Sequence, residues 1–459
     1  MGNIQGRRAC YSCKLTSGAI IRKLLSDRRR LGTPAWNAWQ GWLAKNHKQF
    51  RQQFYQELED RRQKVHNALK ALPRQLPNAR KGAHYCFSFY FPCDLARLSV
   101  TGLEHTGLQL TLDNGKQNLL CLSGIPHKSG ACKPVFEARY TDWARGLPNI
   151  YHSFRLEILP DPRDLWLDLP SDKHIEYWRK DQDWQMLEYG DSRLFAASIR
   201  GRSHAHTGKP RDDAFGLACQ KGWLMLAVAD GAGSAEYSRK GAEIACDVAL
   251  DSCKNMLDRS RDLEDIFTHP LPENWQVMAK KHAYTLLAGA AFEAHKAIRR
   301  EAENRARGVN SYASTLMLAV VRKFPPGWVV LSFQVGDGAM AMFCNGQAEL
   351  LAQPDEGEYG GQTRFITMAE IFEPYELMRR VRVDVAPHFE EILMMTDGIS
   401  DCRFPSQEAM RNQDLWHELR MEIDKKLDNA AWEAALVEWL NFWSKGSHDD
   451  RTIAIMQAG

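Results

Sequence analysis

The sequence lacks long apolar runs. No uninterrupted apolar stretch approaches the roughly 18 residues that a membrane-spanning helix needs. The first residues, MGNIQGRRACYSC, contain no apolar signal core, and Gly6 stands where the N-myristoylation pattern requires Ser or Thr. These absences lead us to expect a cytoplasmic protein with no membrane partner.

The cysteines lack the arrangement of a disulfide framework. Eleven are scattered along the chain, and several, such as Cys219, Cys246 and Cys344, lie inside apolar runs. This pattern favours reduced, packed thiols over the cross-links of a secreted protein. Cys10 and Cys13 form a CxxC pair, but no second pair follows at the spacing of a zinc site, so we do not expect bound zinc.

The chain is long and its charge is unevenly distributed. Its 459 residues exceed what one hydrophobic core usually supports, which predicts two or three domains. Residues 1–81 contain 18 Lys and Arg against 4 Asp and Glu, a net charge of +14, whereas the remainder has 42 against 53, or −11. Apolar residues three to four apart predict a basic helical segment over 1–81. A solvated helical face or an acidic protein partner explains this charge more simply than nucleic acid does.

The next region changes character. Residues 82–160 contain short alternating segments, such as YCFSFYF and LQLTLD, separated by Gly and Pro, which predicts a small all-β sandwich. The turns at Gly102, Gly107, Leu122 to Pro126 and Gly130 resemble those of bacterial immunoglobulin-like domains, a resemblance that implies a binding or spacer module. Residues 161–190, which begin with a Pro- and Asp-rich stretch, are interpreted as a connector.

The region 191–459 alternates irregularly between strands and helices. Two long helical patterns, Ser238 to Asp258 and Asn274 to Arg305, lie between groups of strands, and a last helix is predicted from Asn429 to Trp443. Strands followed by a helical pair and then by more strands are typical of an α+β fold and not of a parallel doubly wound sheet.

Three apolar strands of this region end on Asp-Gly, at Asp230, Asp337 and Asp397. A strand end is a rigid mount for a side chain, and the glycine lets the backbone turn sharply and leaves its carbonyl open to a ligand. We therefore expect the three carboxylates to converge at one edge of a sheet, where their mutual repulsion requires a cation. A single Asp-Gly is more often a turn, but three at strand ends favour a metal site.

Two acidic pairs extend this pattern. Asp212-Asp213 precedes the strand AFGLAC, and Asp449-Asp450 precedes the strand RTIAIM. Ligands made only of oxygen favour Mg²⁺ or Mn²⁺ over zinc. Two such ions can share a water, lower its pKa and hold it in line with a phosphorus atom. The pattern therefore indicates metal-assisted phosphate hydrolysis.

The order of these motifs resembles a known family. RDDAF, VADGAGS, ASTLMLAVV, VGDGA, MTDGISD and DDRT are similar to the motifs of the metal-dependent protein phosphatases, the phosphatase 2C-like Ser/Thr phosphatases. A compact bacterial branch is especially similar, through the segments Ser203 to Ala214 and Gly357 to Thr367. The resemblance implies an α+β fold for 191–459, a phosphatase 2C-like β-sandwich of two packed antiparallel sheets flanked by helices, with metals in the cleft at one end.

Carried over residue by residue, the resemblance implies a centre of two Mn²⁺ or Mg²⁺ ions. Asp230 would bridge the ions, and the carbonyl of Gly231 would bind one of them. Asp397 and Asp449 would complete one metal shell, and Asp337 would help to hold a third, weaker ion. The resemblance places Asp212 and Asp213 at the other side of the centre, in direct or water-mediated contact.

Two departures from the family affect the catalytic groups. Many members carry a His after the first Asp-Gly, a proposed general acid, where this chain has Ala232. The phosphate-binding Arg of the larger members has no clear counterpart. The candidates for contact with the substrate phosphate are His204, Lys209, Arg211 and Arg364. His204 is the favoured one, and we place it beside Asp230 as a catalytic residue.

The resemblance implies a phosphatase that releases phosphate from phosphoserine or phosphothreonine in proteins without a phosphoenzyme. Its partners would be a phosphorylated protein substrate and a cognate Ser/Thr kinase. The alternative is a pseudophosphatase, a phosphoprotein-binding scaffold without turnover. Ala232 and the missing arginine favour this alternative, whereas the intact acidic set opposes it, because a protein without metal chemistry has little reason to bury like charges together.

Overall fold

The computed structural model describes residues 72–90, 95–112, 119–140, 150–267, 271–353 and 363–459, together with ten positions between 41 and 70. These ten positions are all helical and exposed: Gly41, Lys45, Gln52, Gln56, Glu59, Asp60, Gln63, His66, Asn67 and Lys70. The Cys10–Cys13 pair and most of the basic segment 1–81 lie outside the described residues, so predictions about them stay predictions. In the described part of the chain, no helix has both the length and the apolar composition that crossing a bilayer requires.

The chain divides into two compact units, Met1–Leu165 and Trp166–Gly459. The described strands of the first unit are β1 (Ala79–Arg80), β2 (Tyr85–Tyr90), β3 (Leu95–Thr101), β4 (Leu108–Leu112), β5 (Leu119–Gly124), β6 (Gly130–Cys132), β7 (Val135–Tyr140), β8 (Ile150–Ser153) and β9 (Leu156–Leu159). They form three small sheets, in the orders β1-β9-β6, β2-β5-β4 and β3-β7-β8.

A shared apolar core supports these three sheets, and residues such as Leu120, Phe136 and Leu156 are fully buried in it. The all-β character predicted for this region is confirmed. Its likeness to immunoglobulin domains and the domain boundaries at 82, 160 and 190 stay predictions.

The second unit contains two antiparallel sheets. Its strands are β10 (Gln182–Tyr189), β11 (Ser192–Ile199), β12 (Ala214–Gln220), β13 (Trp223–Ala229), β14 (Leu316–Phe324), β15 (Gly327–Val335), β16 (Ala339–Cys344), β17 (Gln347–Leu350), β18 (Val381–Ala386), β19 (Glu391–Met395) and β20 (Arg451–Gln457). One sheet has the order β10-β11-β20-β19-β16-β17, and the other has the order β12-β13-β14-β15-β18.

The helices of this unit are α1 (Arg202–Thr207), α2 (Ser238–Arg259), α3 (Asp262–Ile266), α4 (Trp275–Asn304), α5 (Pro374–Arg380), α6 (Asp397–Arg403), α7 (Gln413–Leu427) and α8 (Trp432–Leu440). Short 3₁₀ turns occur at Pro162–Leu165 in the first unit and at Val309–Tyr312, Ala369–Phe372 and Glu408–Arg411 in the second. The predicted long helices correspond to α2 and α4, and the predicted last helix corresponds to the shorter α8. Helix α7 was not predicted from the sequence.

Three apolar clusters hold the second unit together. One fills the space between the two sheets, with Leu226, Val330 and Met394 among its fully buried residues. A second packs α2 and α4 on the outer face of the five-stranded sheet. A third packs α7 and α8 on the outer face of the six-stranded sheet. The predicted α+β class, with two packed sheets flanked by helices, is therefore confirmed.

Tight hairpins set the register of both sheets. Lys221 and Gly222 join β12 to β13 with φ values of 50° and 79°, and Asn345 and Gly346 join β16 to β17 with 52° and 74°. Two-residue turns with positive φ match the twist of antiparallel strands, and Gly and Asn adopt that backbone conformation at low cost. The first hairpin pairs Ala214 with Ala229 and so brings Asp213 and Asp230 together at one end of the sheet.

Candidate active site

The three Asp-Gly carboxylates come from both sheets. Asp230 follows β13 of the five-stranded sheet, and Asp397 begins α6 directly after β19 of the six-stranded sheet. Asp337 lies in the link between β15 and β16, where the chain passes from one sheet to the other. The expectation that they meet at one edge of a single sheet was wrong, because β13 and β19 belong to different layers that face each other across the central core.

These carboxylates nevertheless form one cluster. One oxygen from each of Asp230, Asp337 and Asp397 lies within 4.8 Å of the others. Burial and the neighbouring carboxylate of Asp397 raise the pKa of Asp230 well above its usual range. Burial and the carboxylate of Asp337 do the same for Asp397. The three side chains are half-buried, and like charges held this close in such positions need a cation or a proton.

A fourth carboxylate, that of Asp213, is fixed next to this cluster. Its Oδ2 accepts hydrogen bonds from the hydroxyls of Thr452 at 2.7 Å and Thr396 at 3.0 Å. Burial and the Asp450 carboxylate raise the pKa of Asp213 to about 7. The side chain is fully buried, and its other oxygen, Oδ1, is left free to bind a ligand.

Several carboxylate oxygens in this region have no hydrogen-bond partner among the described residues. They are Oδ1 of Asp213, Oδ1 of Asp337 and Oδ1 of Asp397. Leaving a buried polar atom without a partner is costly, so such atoms point to a missing ligand. The donors are carboxylates and therefore suit a hard divalent cation such as Mg²⁺ or Mn²⁺. The residues present thus fit the metal centre that the sequence predicts.

The glycines after the three aspartates are required by close approach. None of them has a positive φ. A Cβ on Gly231 would lie 2.7 Å from the carbonyl oxygen of Asp212, and one on Gly338 would lie 2.6 Å from that of Met395. A Cβ on Gly398 would overlap the carbonyl oxygen of Asp450. Each Asp-Gly pair therefore lets another segment of the site pack directly against the backbone.

Asp450 joins the loops around the cluster. Its Oδ1 accepts from the backbone N–H of Gly201 at 2.6 Å and lies 2.9 Å from Nδ1 of His204, while its Oδ2 accepts from the N–H of Asp212 at 2.6 Å. Burial acts to raise the pKa of Asp450, but His204 and the two N–H donors keep it below its usual value. Asp449 lies beside this pair, and one ligand atom from each of His204, Asp449 and Asp450 lies within 4.8 Å of the others.

His204 faces carboxylates with both ring nitrogens. Nδ1 faces Asp450, and Nε2 lies 3.5 Å from Oδ2 of Asp212. Burial acts to lower the pKa of His204, but the Asp450 and Asp212 carboxylates outweigh it and raise this pKa. The ring therefore favours the imidazolium form, which links two acidic loops.

Both oxygens of Asp212 are in use. Its Oδ1 accepts from Nε of Arg239 at 2.8 Å, and its Oδ2 accepts from the hydroxyl of Ser238 at 3.0 Å. Arg239 and Ser238 open α2, so Asp212 ties the loop before β12 to the start of that helix. Its contacts are thus with protein groups, whereas Asp213 keeps an oxygen free.

The profile of the family described as Protein phosphatase 2C matches residues 200–441, which is more than half of the chain. The chain belongs to the protein phosphatase 2C family. The match spans α1, the Asp230, Asp337 and Asp397 cluster, and α8. The family is metal-dependent, in agreement with the oxygen-rich site described above. No curated protein matches the chain significantly.

Solved structures similar to this chain include those of three bacterial proteins. The Staphylococcus aureus Ser/Thr phosphatase Stp1 is 14% identical, with 63% of this chain and 99% of that chain covered and a TM-score of 0.35. PppA from Pseudomonas aeruginosa is 16% identical, with 60% and 100% covered and a TM-score of 0.36. The Mycobacterium tuberculosis phosphatase PstP/Ppp is 15% identical, with 58% and 98% covered and a TM-score of 0.36. The family membership stated above rests on the profile match.

Within this phosphatase 2C unit, the two candidate arginines have different surroundings. Arg211 is buried, its Nη2 lies 3.8 Å from Oδ2 of Asp183, and its Nε and Nη1 have no partner among the described residues. Burial and the nearby Arg179 lower the pKa of Arg211 to about 10. Arg364 instead donates to Oε2 of Glu376 at 3.0 Å.

The segment that contains Arg364 is anchored beside the cluster. Thr363 donates its hydroxyl proton to Oδ2 of Asp337 at 2.5 Å, and the N–H of Ile366 donates to the carbonyl of Ser314 at 2.9 Å. Residues 354–362 of the loop predicted to cover the cleft lie outside the described residues. The described end of that loop therefore lies beside the acidic cluster.

Several residues that shape the site received no role from the sequence. Thr396 and Thr452 orient Asp213, and Asp450 orients His204. Asp401 lies one turn after Asp397 on α6, and its pKa is raised by burial and by the carboxylates of Asp337 and Asp449. The sequence does carry a signal for Asp401, because MTDGISD places a second Asp at i+4 on a helix. It carries no comparable signal for the two threonines.

Proposed function

We propose that this chain is a metal-dependent phosphoprotein phosphatase that hydrolyses phosphoserine and phosphothreonine. The observation that carries the proposal is the gathering of Asp213, Asp230, Asp337 and Asp397 from distant parts of the chain, with three buried oxygens left without a partner. The phosphoprotein as substrate class is supported by the family match.

The acidic cluster would hold two Mn²⁺ or Mg²⁺ ions, with room for a third, weaker one. The proposed ligands are Asp213, Asp230, the carbonyl of Gly231, Asp337, Asp397 and Asp449. When bound, such ions lower the pKa of a water, orient it and neutralise charge on the phosphoryl group.

The remaining residues prepare this centre. Thr396 and Thr452 hold Asp213 in one orientation, so that its free oxygen points to a fixed place. We propose His204 as a positioning residue, because both of its nitrogens face carboxylates and it joins the loops of Asp212 and Asp450. Arg211 and Arg364 remain proposed contacts for the substrate, and cytoplasmic localisation and a kinase partner remain proposals that derive from the sequence.

The decisive experiment compares hydrolysis of p-nitrophenyl phosphate and of a phosphoserine peptide with Mn²⁺, with chelator, and by the Asp230→Asn variant. We expect turnover with Mn²⁺, and we expect chelation or the substitution to reduce it by about a thousandfold or more, because both remove the activated water. Equal rates under all three conditions would refute the proposal.

The pseudophosphatase alternative makes a different prediction. Ala232, buried directly after the Asp230-Gly231 pair, is the observation that favours it, because this position offers no acidic proton. A protein that binds Mn²⁺ and the phosphoserine peptide without releasing phosphate would support this alternative over the enzyme.

A further inference from the structure

The first unit contains a cavity of about 790 Å³ lined by basic side chains. It lies where the loop after β6, the end of β8 and the segment 73–75 meet. The cationic and imidazole groups in its lining are His66, Lys70, Arg74, Lys133, His152 and Arg155. No Asp or Glu is among the described residues of this lining. A cavity of this composition attracts anions.

Its four Lys and Arg side chains are available for binding. Lys70, Arg74, Lys133 and Arg155 are exposed, and none of them takes part in an ion pair or a side-chain hydrogen bond with any described residue. Elsewhere in this unit, Lys81 is paired with Asp164 at 2.8 Å. These four positive charges therefore have no ion-pair partner in the described part of the chain.

Backbone hydrogen bonds bring these side chains together. The N–H of Arg155 donates to the carbonyl of Arg74 at 2.7 Å, and Gln75 and Arg155 form a parallel bridge. The N–H of Phe154 donates to the carbonyl of Pro134 at 3.0 Å, which places Lys133 near Arg155. Three separate segments thus meet through main-chain contacts, so the charges are positioned by the fold of the unit.

One wall of the cavity is rigid and aromatic. The ring of His152 packs on Phe136 and Phe154, with ring centroids 5.6 and 4.9 Å apart, and its Nε2 lies 3.3 Å from the carbonyl of Pro73. Tyr151 is 66% exposed and provides an apolar and hydrogen-bonding surface next to the charges. Such a wall suits a side chain or peptide that lies alongside an anionic group.

We propose that this cavity binds a phosphorylated segment of a partner protein. Arginine forks and lysine ammonium groups are the usual receptors for a phosphate ester in a peptide, and two arginines and two lysines meet here. Single-stranded nucleic acid fits less well, because it needs several stacking surfaces along a groove. Tyr151 is the single exposed Phe, Tyr or Trp ring in the described lining of this cavity.

The choice of a phosphorylated protein rests on the proposed phosphatase function, whereas the anion site itself rests on the geometry of the first unit alone. The cavity would retain a phosphoprotein by one phosphate while others are hydrolysed. Under this proposal, the phosphate of a partner protein binds the basic side chains near the end of the 1–81 segment, Lys70 and Arg74.

Binding is tested with the full chain carrying Asp230→Asn, which prevents turnover of the probe. A fluorescein-labelled phosphoserine peptide, its unphosphorylated form and a labelled single-stranded oligonucleotide are titrated by fluorescence anisotropy. Arg155→Glu and Lys133→Glu are compared with Arg80→Glu, which reverses the same charge on an exposed residue of β1 outside the cavity. Hydrolysis of p-nitrophenyl phosphate is measured separately for the same substitutions in the chain that retains the original Asp230.

We expect the Kd for the phosphopeptide to rise about tenfold or more in Arg155→Glu and Lys133→Glu, the usual effect of losing a charge-assisted contact, and less than about twofold in Arg80→Glu. The unphosphorylated peptide should bind about tenfold more weakly than the phosphopeptide. Equal binding by the cavity variants and Arg80→Glu, or tighter binding of the oligonucleotide, would overturn the inference. We expect Arg155→Glu to leave the turnover of p-nitrophenyl phosphate unchanged, so that a loss of peptide binding is not a loss of catalysis. If the proposed phosphatase function is wrong, the turnover assay fails while the binding assay is unaffected.

Discussion

Asp450 and His204 form a buried pair that connects the loops of the candidate active site. Oδ1 of Asp450 lies 2.9 Å from Nδ1 of His204, and the same carboxylate accepts the N–H groups of Gly201 and Asp212. One side chain therefore joins the start of β20 to α1 and to the loop before β12. Because Asp449 lies in the first of these segments, the pair controls the position of a proposed metal ligand.

The first prediction concerns this pair. We expect Asp450→Asn to lower kcat for an aryl phosphate and to raise the Mn²⁺ concentration for half-maximal activity, each by about ten- to a hundredfold, the usual effect of losing an outer contact to a metal ligand. Since both residues act through one contact, Asp450→Asn/His204→Gln should lose no more than the worse single variant. Steady-state kinetics at varied Mn²⁺ concentration measure both quantities.

Asp428→Asn is the matched control for these single and double variants, because Asp428 is an exposed residue that follows α7. It should leave both constants unchanged. Fully additive losses in the double variant would show that His204 and Asp450 act independently and would contradict a positioning role for His204.

The second prediction uses the two glycines of the sequence Asp230-Gly-Ala-Gly. A Cβ at Gly231 would lie 2.7 Å from the carbonyl oxygen of Asp212, whereas one at Gly233 would have no atom within 4 Å. We expect Gly231→Ala to reduce the free energy of unfolding by about 1–3 kcal/mol through overpacking and to reduce turnover with it. Urea unfolding followed by tryptophan fluorescence measures the stability.

Gly233→Ala serves as its control, with an expected change in unfolding free energy within about 0.5 kcal/mol. A similar loss in both variants would mean that the loop needs glycine for its flexibility, and the close-approach explanation would then be wrong.

The sequence predicted which aspartates lie together better than it predicted the sheets that carry them. Apolar strands that end on Asp-Gly are local patterns, and they correctly marked Asp230, Asp337 and Asp397 as one cluster. Strand pairing is not local: β11 pairs with β20, and Ser198 lies opposite Thr452, so no neighbouring pattern reports it. For this reason the sequence placed all three aspartates on one sheet.

The same limit explains two other omissions. The apolar residues on the buried face of α7 are spaced as in a helix: Trp416, Leu419, Ile423 and Leu427. The charged residues between them obscure this spacing in the sequence. The role of Asp450 depends on contacts with residues about 240 positions earlier in the chain, and local sequence patterns do not report contacts at such separations. Long-range contacts of this kind require the fold.

The third prediction concerns pH and Glu391, which begins β19 away from the acidic cluster. The side chain is buried, and its Oε1 lies 2.9 Å from Nε of Arg420. The two atoms form an ion pair without the angle of a hydrogen bond. Burial and the nearby Asp424 raise the pKa of Glu391 to about 8. The unfolded chain ionises this group near its usual value of 4.5.

Between these two pKa values the folded state binds more protons than the unfolded state, so the stability of the protein falls as pH rises from about 4.5 to about 8. Glu391→Gln removes this dependence. We expect the variant and the original protein to be similar near the low end of this window, and the variant to be more stable near its upper end by on the order of 2 kcal/mol. Thermal unfolding across that window checks the difference.

Glu408→Gln is the control for this series, because Glu408 is exposed. Its unfolding should follow the original protein at every pH. A difference between Glu391→Gln and the original protein that stays constant with pH would show that Glu391 is ionised throughout the window in the folded state.

The fourth prediction separates the stability of the acidic cluster from its ability to bind metal. In the presence of chelator, the buried carboxylate of Asp213 and the half-buried carboxylates of Asp230 and Asp397 repel one another. Asp230→Asn removes one of these charges and should raise the free energy of unfolding at pH 8 by on the order of 1–2 kcal/mol. The same substitution should nevertheless abolish phosphate release.

In Mn²⁺ the order of stability should reverse. A metal that binds only the folded state stabilises it by about 2.7 kcal/mol at a concentration one hundred times its Kd, and Asp230→Asn should lose most of that gain because it lacks the proposed bridging ligand. Urea unfolding of both proteins, with Mn²⁺ and with chelator, gives the four free energies, and Asp428→Asn should behave as the original protein in each. If Mn²⁺ stabilises Asp230→Asn as strongly as the original protein, then Asp230 does not bind the metal.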